Sequence, residues 1–286
     1  MNTITTRDVQ AEAWRLNVLE AGDTEAPAIL WLHGSGPGVS ARSNWAELVE
    51  TMPDYHHIAP DVLGFADSEH PEDLPAGVGA SSVTRVDSLF ALLDALDVHK
   101  THVVGNSLGG MLAILMLQRQ PERFDRVILM GSAGAPLPPS ENLIKMVLYY
   151  TNESPDAMEN LLQHFMHDTS SFGDTLREVA KERAEFAARS DIRRSHERTF
   201  TPEPTPLFFT AEQLGEVDHE VLVVHGREDS IISVDASYYY AKHLPNAQLH
   251  VLPHAGHWVQ IEQASRFRAL AELFLSEGAS ATGGQA

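Results

Sequence analysis

The chain has 286 residues, 43% hydrophobic and 21% charged, which is long enough to bury a sizeable core and unlike a disordered or fibrous composition. It has no cysteine, which excludes disulfides, thiolate catalysis and thiolate metal sites. A formal charge of −20 repels polyphosphate and anionic lipid, so neither nucleic acid nor membrane is an expected partner, and an anionic small substrate needs a local cation.

The 15 histidines are spread along the chain without HExxH or other tight ligand spacing, so no metal and no cofactor is expected. No run of eighteen apolar residues occurs, and the first ten residues lack a basic segment followed by an apolar one. A cytoplasmic protein is the expectation.

In chain order, 28–32 (AILWL) is the first long apolar run and reads as a buried strand. It leads into Leu32-His33-Gly34-Ser35-Gly36-Pro37-Gly38, where glycines let backbone amides approach a ligand closely. That suits half of an oxyanion hole, from Ser35 or its neighbour Gly36; a plain glycine-rich turn explains the composition too. A phosphate cradle does not, because no Gly-Lys-Ser/Thr follows. A second strand is expected at 57–60. Val86, Leu89, Phe90, Leu93 and Leu96 then fall on one helical face.

The strand at 101–104 ends in Gly105-Asn106-Ser107-Leu108-Gly109-Gly110 and an apolar helix containing Met111, Leu112, Ile114 and Leu115. A serine between glycines, at a strand exit and a helix start, is the context of a nucleophile elbow. Ser107 Oγ is expected above the sheet, with the Leu108 amide pointing into the site at the helix N-terminus.

A further strand is expected at 126–130. The alternation then breaks over 134–214, where Pro136, Pro138 and Pro139 at one end and Pro202, Pro204 and Pro206 at the other bracket a charged, helix-prone stretch. It reads as a helical cap inserted between core segments 1–133 and 215–277, or else as a surface excursion without a role. The small, polar tail 278–286 is expected to be disordered.

A serine hydroxyl needs a base, and the base needs a third group to orient it. The strand at 221–224 runs into His225-Gly226-Arg227-Glu228-Asp229, where Asp229 is the preferred acid and Glu228 the reserve. After the strand at 248–252, the loop Pro253-His254-Ala255-Gly256-His257-Trp258 offers two histidines. His257 is preferred because Gly256 gives the loop freedom to turn its imidazole, and His254 reads as a surface residue. Phe267, Leu270 and Phe274 mark a closing helix. Strand alternating with helix throughout predicts an α/β chain with a mostly parallel, doubly wound sheet.

Taken together, His33-Gly-Ser-Gly-Pro-Gly38 with Asn44-Trp45, Pro60-Asp61-Val62-Leu63-Gly64-Phe65, the elbow at 105–110, His225-Gly-Arg-Glu-Asp-Ser-Ile-Ile232 and Gly256-His257-Trp258 resemble the meta-cleavage product hydrolases. The likeness spans nearly all of the chain outside the cap and tail. It implies the α/β-hydrolase fold and hydrolysis of a carbon–carbon bond in a vinylogous 1,5-diketone, the ring-opened product of an extradiol dioxygenase, to 2-hydroxypenta-2,4-dienoate and a carboxylic acid.

By the same resemblance, Ser107 attacks the carbonyl or positions a water there, His257 moves protons, and Asp229 holds His257. The amides of Ser35, Gly36 and Leu108 stabilise the oxyanion, and Asn44, Asn106 and Trp258 line the polar end of the pocket. Arg183 matches the cap arginine that meets the anionic dienoate, and bidentate pairing with a carboxylate is the independent physical reason for an arginine there. Arg177, Arg189, Arg193, Arg194 and Arg198 share the cap with it. An aromatic substrate pocket is not identifiable, since Phe165, Phe172 and Phe186 are equally suited to packing. Relatives commonly form homo-oligomers, so self-association is implied as well. The competing functions are a carboxylesterase using the same triad and a non-catalytic ligand receptor on the same scaffold; dehalogenases and epoxide hydrolases of this fold need an aspartate where Ser107 stands.

Overall fold

The computed structural model describes residues 2–203 and 207–277. The expected tail 278–286 lies outside the described residues, as do Pro204 and Pro206 of the second proline cluster.

Among the described residues the strands are β1 (Thr5–Ala11), β2 (Trp14–Ala21), β3 (Ala28–Leu32), β4 (His56–Pro60), β5 (Thr101–Asn106), β6 (Phe124–Met130), β7 (Val221–Gly226) and β8 (Ala247–Leu252). They form one sheet in the order β1-β2-β4-β3-β5-β6-β7-β8. β1 and β2 pair antiparallel, as do β2 and β4; the rest is parallel. β1 and β2 were not among the expected strands. β1 alternates toward solvent and is too polar to stand out as an apolar run.

The core helices are α1 (Ala41–Thr51), α2 (Val78–Ala95) and α3 (Leu108–Arg119). Between β6 and β7 lie α4 (Glu141–Val147), α5 (Pro155–Phe165), α6 (Leu176–Ala187), α7 (Ser190–Thr199) and α8 (Ala211–Gly215). α9 (Asp235–His243), α10 (Val259–Glu262) and α11 (Ala264–Ser276) complete the chain.

The period of two along each central strand splits the core into two layers. Leu30, Val103, Leu129 and Val223 face the layer covered by α2, α3 and α9, whereas Ile29, Trp31, Val104, Ile128 and Val224 face α1, α10 and α11. Strands buried on both faces must be apolar at every position, which is why these runs showed in the sequence. A third cluster, built from Tyr149, Tyr150, Met158, Leu162, Phe165 and Ala180 of the inserted region, also takes in Ile231 and Trp258 from beyond β7 and β8. Phe209 and Leu214, near the end of the 134–214 interval, pack into the main core instead.

The order of strands places a site before any side chain is considered. From β3 the chain crosses to β4 on one side, then to β5 on the other, so a crevice opens at the carboxyl ends of β3 and β5. The loops leaving those two ends are 33–38 and the turn at Ser107.

Candidate active site

Ser107 joins β5 to α3 with φ 55° and ψ −114°, a left-handed conformation that is costly for a residue with a side chain. The surroundings enforce it. The Ser107 amide donates to Met130 O at 3.0 Å, while Ser107 O accepts from the amides of Gly110 and Ala133. A Cβ at Gly105 would lie 2.4 Å from Gly109 O, and one at Gly109 would lie 2.2 Å from Leu32 O. Glycine is therefore required at both places by close backbone approach. The result presents Ser107 to a pocket whose wall also includes Gly34, Ser35, Gly36, Asn44, Asn106, Phe165, Arg183, His257 and Trp258.

Asp229 lies in the turn after β7 and is almost fully buried. Its Oδ1 accepts from the amides of Ile231 at 2.8 Å and Ile232 at 3.0 Å, and its Oδ2 accepts from His257 Nδ1 at 2.7 Å. His225 Nε2 lies 3.2 Å from the same Oδ2 and bonds Ile232 O at 3.0 Å, bracing the turn. Burial opposes ionisation of Asp229, yet the charge and hydrogen bonds of His257 and His225 outweigh it and hold the carboxyl below the usual carboxylate range. With Asp229 occupying Nδ1 as a proton acceptor, the neutral imidazole keeps Nε2 as its basic atom.

The Asp229–His257 hydrogen bond is thus formed. Ser107 and His257 share the pocket, but among the described residues Ser107 Oγ forms no hydrogen bond. Catalytic contacts of this kind tighten when substrate binds. Glu228 is turned elsewhere, bonding Arg227 at 2.8 Å and the Ala255 amide at 3.2 Å, and His254 is exposed with φ 59°.

The loop 33–38 is held by a buried imidazole. His33 Nε2 accepts from the Val62 amide at 2.9 Å, so the proton sits on Nδ1 and is donated to Gly34 O at 2.7 Å. Burial pushes His33 down to about 4, which keeps it neutral in this role. Ser35 and Gly36 line the pocket beside Ser107, and Leu108 begins α3, so its amide is one of the first-turn donors that the helix cannot satisfy itself. Leu108 lines the apolar side of the site.

Arg183, on α6, reaches into the pocket. Its Nε donates to Pro37 O at 2.9 Å, its guanidinium carbon stands 5.3 Å from the Trp258 ring centroid, and Nη2 lies against Gly36. Burial lowers it to about 10, so it stays cationic at neutral pH. Among the described residues no carboxylate pairs with it, whereas Arg177 binds Asp156 and Glu159, Arg189 binds Asp67 and Asp191, and Arg193 binds Glu153 and Glu197. Arg194 and Arg198 are turned to the backbone carbonyls of His70 and Leu74. Asn44 Nδ2 approaches Asn106 Oδ1 at 3.4 Å, and Asn106 Nδ2 donates to Met130 O at 3.2 Å.

Sequence reasoning did not single out Met146, Ile231 or Val39, which complete the pocket wall, nor settle the role of Phe165. Phe165 stacks on Trp258 at 4.8 Å and lies 5.5 Å from the His257 ring, so it is part of the site; Phe186 instead stacks against Arg189. No local pattern marks these residues, because they come from segments far apart in the chain.

Two spaces meet at Ser107. The polar pocket with Arg183 has a free volume of about 10 Å³ in this state, room for about one water. On the other side Ser35, Ser107 and Leu108 border an apolar cavity of about 690 Å³, walled by residues such as Met111, Val147, Leu148 and Phe208. Among the described residues no cluster of three or more His, Asp or Glu is arranged to hold a metal, and no helix is long and apolar enough to cross a membrane.

A strained serine at the end of a central parallel strand, an acid and a histidine from the next strands, and a helical insertion above them define a serine-type α/β-hydrolase arrangement. The alpha/beta hydrolase fold family matches residues 27–264. The chain is 37% identical to 2-hydroxymuconate semialdehyde hydrolase of Pseudomonas sp. (strain CF600), over 96% of this chain and 95% of that one. Its structure superposes with a TM-score of 0.92 on the 2-hydroxy-6-oxo-6-phenylhexa-2,4-dienoate hydrolase of Rhodococcus sp. strain RHA1, at 33% identity over 96% of this chain and 100% of the other. A meta-cleavage product hydrolase of Pseudomonas fluorescens IP01 gives a TM-score of 0.87 at 35% identity, over 95% and 97% of the two chains. The chain belongs to the meta-cleavage product hydrolases, carbon–carbon bond hydrolases built on this fold.

Proposed function

We propose that this chain hydrolyses the carbon–carbon bond next to the carbonyl of a 2-hydroxy-6-oxo-dienoate, the ring-fission product of a catechol, releasing 2-hydroxypenta-2,4-dienoate and a carboxylic acid. The observation that carries the reading is the position of Ser107 between two unlike spaces: a polar pocket with a cation that no carboxylate among the described residues neutralises, and a large apolar cavity. That asymmetry fits a substrate with an anionic dienoate at one end and a variable acyl substituent at the other.

In this reading residues 134–214 act as the cap, and Arg183 pairs with the dienoate. Asn44, Asn106 and Trp258 frame the same end. The nearly closed polar pocket requires the cap side chains to shift outward as substrate enters. His257, held by Asp229, moves the proton that converts the dienol to the keto form and makes the later leaving carbon already protonated. It then takes the proton of Ser107 as Oγ attacks the carbonyl, and the amides of Leu108 and of Ser35 or Gly36 receive the oxyanion. The carbon–carbon bond breaks with its electron pair delocalised into the conjugated enolate, whose oxygen takes the proton from His257 to give 2-hydroxypenta-2,4-dienoate; water, deprotonated by the again neutral His257, then attacks the acyl carbonyl, and the acid leaves as the proton returns to Ser107 Oγ. A cytoplasmic location and self-association are part of the same proposal by family resemblance, and sedimentation tests the second.

The test is turnover of ring-fission products bearing hydrogen, methyl and phenyl at the cleaved carbonyl, beside p-nitrophenyl acetate, following loss of the dienolate absorbance. The apolar cavity predicts that methyl and phenyl substrates are accepted, since each buried methylene is worth about 0.8 kcal/mol. Ester cleavage much faster than dienolate loss would establish an esterase instead.

A further inference from the structure

We infer that Glu262 is a positioning residue that latches the cap to the loop carrying His257; the inference rests on His257 being the catalytic base. Glu262 ends α10, five residues after the histidine, and takes no part in the chemistry described above. Its carboxylate gathers three backbone amides from two segments that are distant in the chain. Oε2 accepts from Gly256 at 2.6 Å, and Oε1 accepts from His167 at 2.7 Å and Asp168 at 3.0 Å. Residues 167 and 168 follow α5 in the cap; Gly256 immediately precedes the base.

The contact continues on both sides of the carboxylate. The His257 amide donates to Phe165 O at 2.7 Å, and the Phe165 ring stacks on Trp258. The two backbones are pressed so closely that a Cβ at Gly256 would stand 2.8 Å from both His167 N and Phe165 O. Cap residues 165–168 and loop 256–258 therefore move as one body, with Glu262 as the acceptor that joins them. The imidazole of His257 must aim Nδ1 at Asp229 and Nε2 at Ser107 together, so a shift of its backbone misdirects one or the other. Trp258, under Arg183, is carried by the same loop, which ties the placement of the substrate cation to that of the base.

The arrangement requires a carboxylate specifically. Both of its oxygens accept hydrogen bonds, and charge strengthens all three contacts. Glutamine keeps the shape but replaces one acceptor by a donor, so the amide of Gly256 or those of the cap must face another N–H. A packing role would be preserved in Glu262→Gln; the latch would not.

The experiment uses the full chain and an alkyl fluorophosphonate, which reports on the base and the serine without any dienoate. Ser107 Oγ bonds to phosphorus, fluoride leaves, and His257 takes the hydroxyl proton. Wild type, Glu262→Gln and Glu262→Ala are compared for labelling rate, thermal unfolding and backbone hydrogen exchange over 165–168 and 254–258. The expected result is labelling about 10-fold slower or more in both variants, with glutamine no better than alanine, and faster exchange in both segments at little change in unfolding temperature. Labelling of the isosteric Glu262→Gln protein at the wild-type rate overturns the inference, as does unchanged exchange. Failure of the wild type to label at Ser107 would sink the triad itself, while the exchange comparison still decides the latch.

Discussion

Replacing Arg183 by methionine separates the proposed substrate-binding role of this cation from a structural one. The guanidinium spends Nε on Pro37 O, and among the described residues its two Nη groups have no hydrogen-bond acceptor. A dienoate carboxylate taking both makes a bidentate, charge-assisted pair, nominally about 1.5–3 kcal/mol per bond. Partial exchange of those bonds with water reduces the sum to about 2–4 kcal/mol, a loss of about 30-fold to 1,000-fold in kcat/KM for the dienoate. An ester without a carboxylate loses only the support that Nε gives to the oxyanion loop, about 1 kcal/mol or about fivefold. Stability should not fall, because burial already penalises this cation and methionine fills similar space without that penalty. The assay is steady-state kinetics of Arg183→Met on both substrate types with thermal unfolding alongside. Equal losses on ester and dienoate would make the role structural, and no loss on the dienoate would transfer it to another cap arginine.

Ser107→Ala should lower turnover by about a thousandfold or more while changing dienoate affinity only a few-fold, measured by single-turnover kinetics and titration; near wild-type kcat would exclude the serine as nucleophile. Gly109→Ala should destabilise by about 3 kcal/mol or more, because the new Cβ meets Leu32 backbone at 2.2 Å and no side chain can yield. A denaturation midpoint equal to wild type would refute that packing argument. Burial pushes His33, His57 and His196 down to about 4, so the unfolded chain binds these protons first and stability is lost as pH falls from about 6.5 toward 4. Asp61 works in the opposite sense: burial raises it to about 6, so its folded form is favoured as pH falls below that value. The net of about two protons predicts a slope of up to about 2.7 kcal/mol per pH unit in urea denaturation between about pH 6 and pH 5, and a flat profile would contradict it.

Much of the fold was legible because central parallel strands are buried on both faces and cannot hide their apolar character. The glycines at 105 and 109, the acid after β7 and the histidine after β8 were legible for a similar reason, since each marks a local turn whose shape depends on neighbouring residues. β1 was not legible because it is exposed and polar along most of its length, and β2 because polar residues interrupt its buried apolar ones, so neither forms a continuous apolar run.

The sequence by itself determined the six central strands, the serine turn between glycines and the short list of candidate acids and bases, all of which depend on residues within a few positions of one another. Only the tertiary structure decided that Phe165 and not Phe186 flanks the histidine, and that Glu262 gathers the amides of Gly256, His167 and Asp168. Those outcomes depend on which surfaces meet when 134–214 folds back over the sheet. The pairing of the six arginines follows from it as well: Arg177, Arg189 and Arg193 bind carboxylates, Arg194 and Arg198 bind backbone carbonyls, and Arg183, named from the sequence, shares a pocket wall with Ser107.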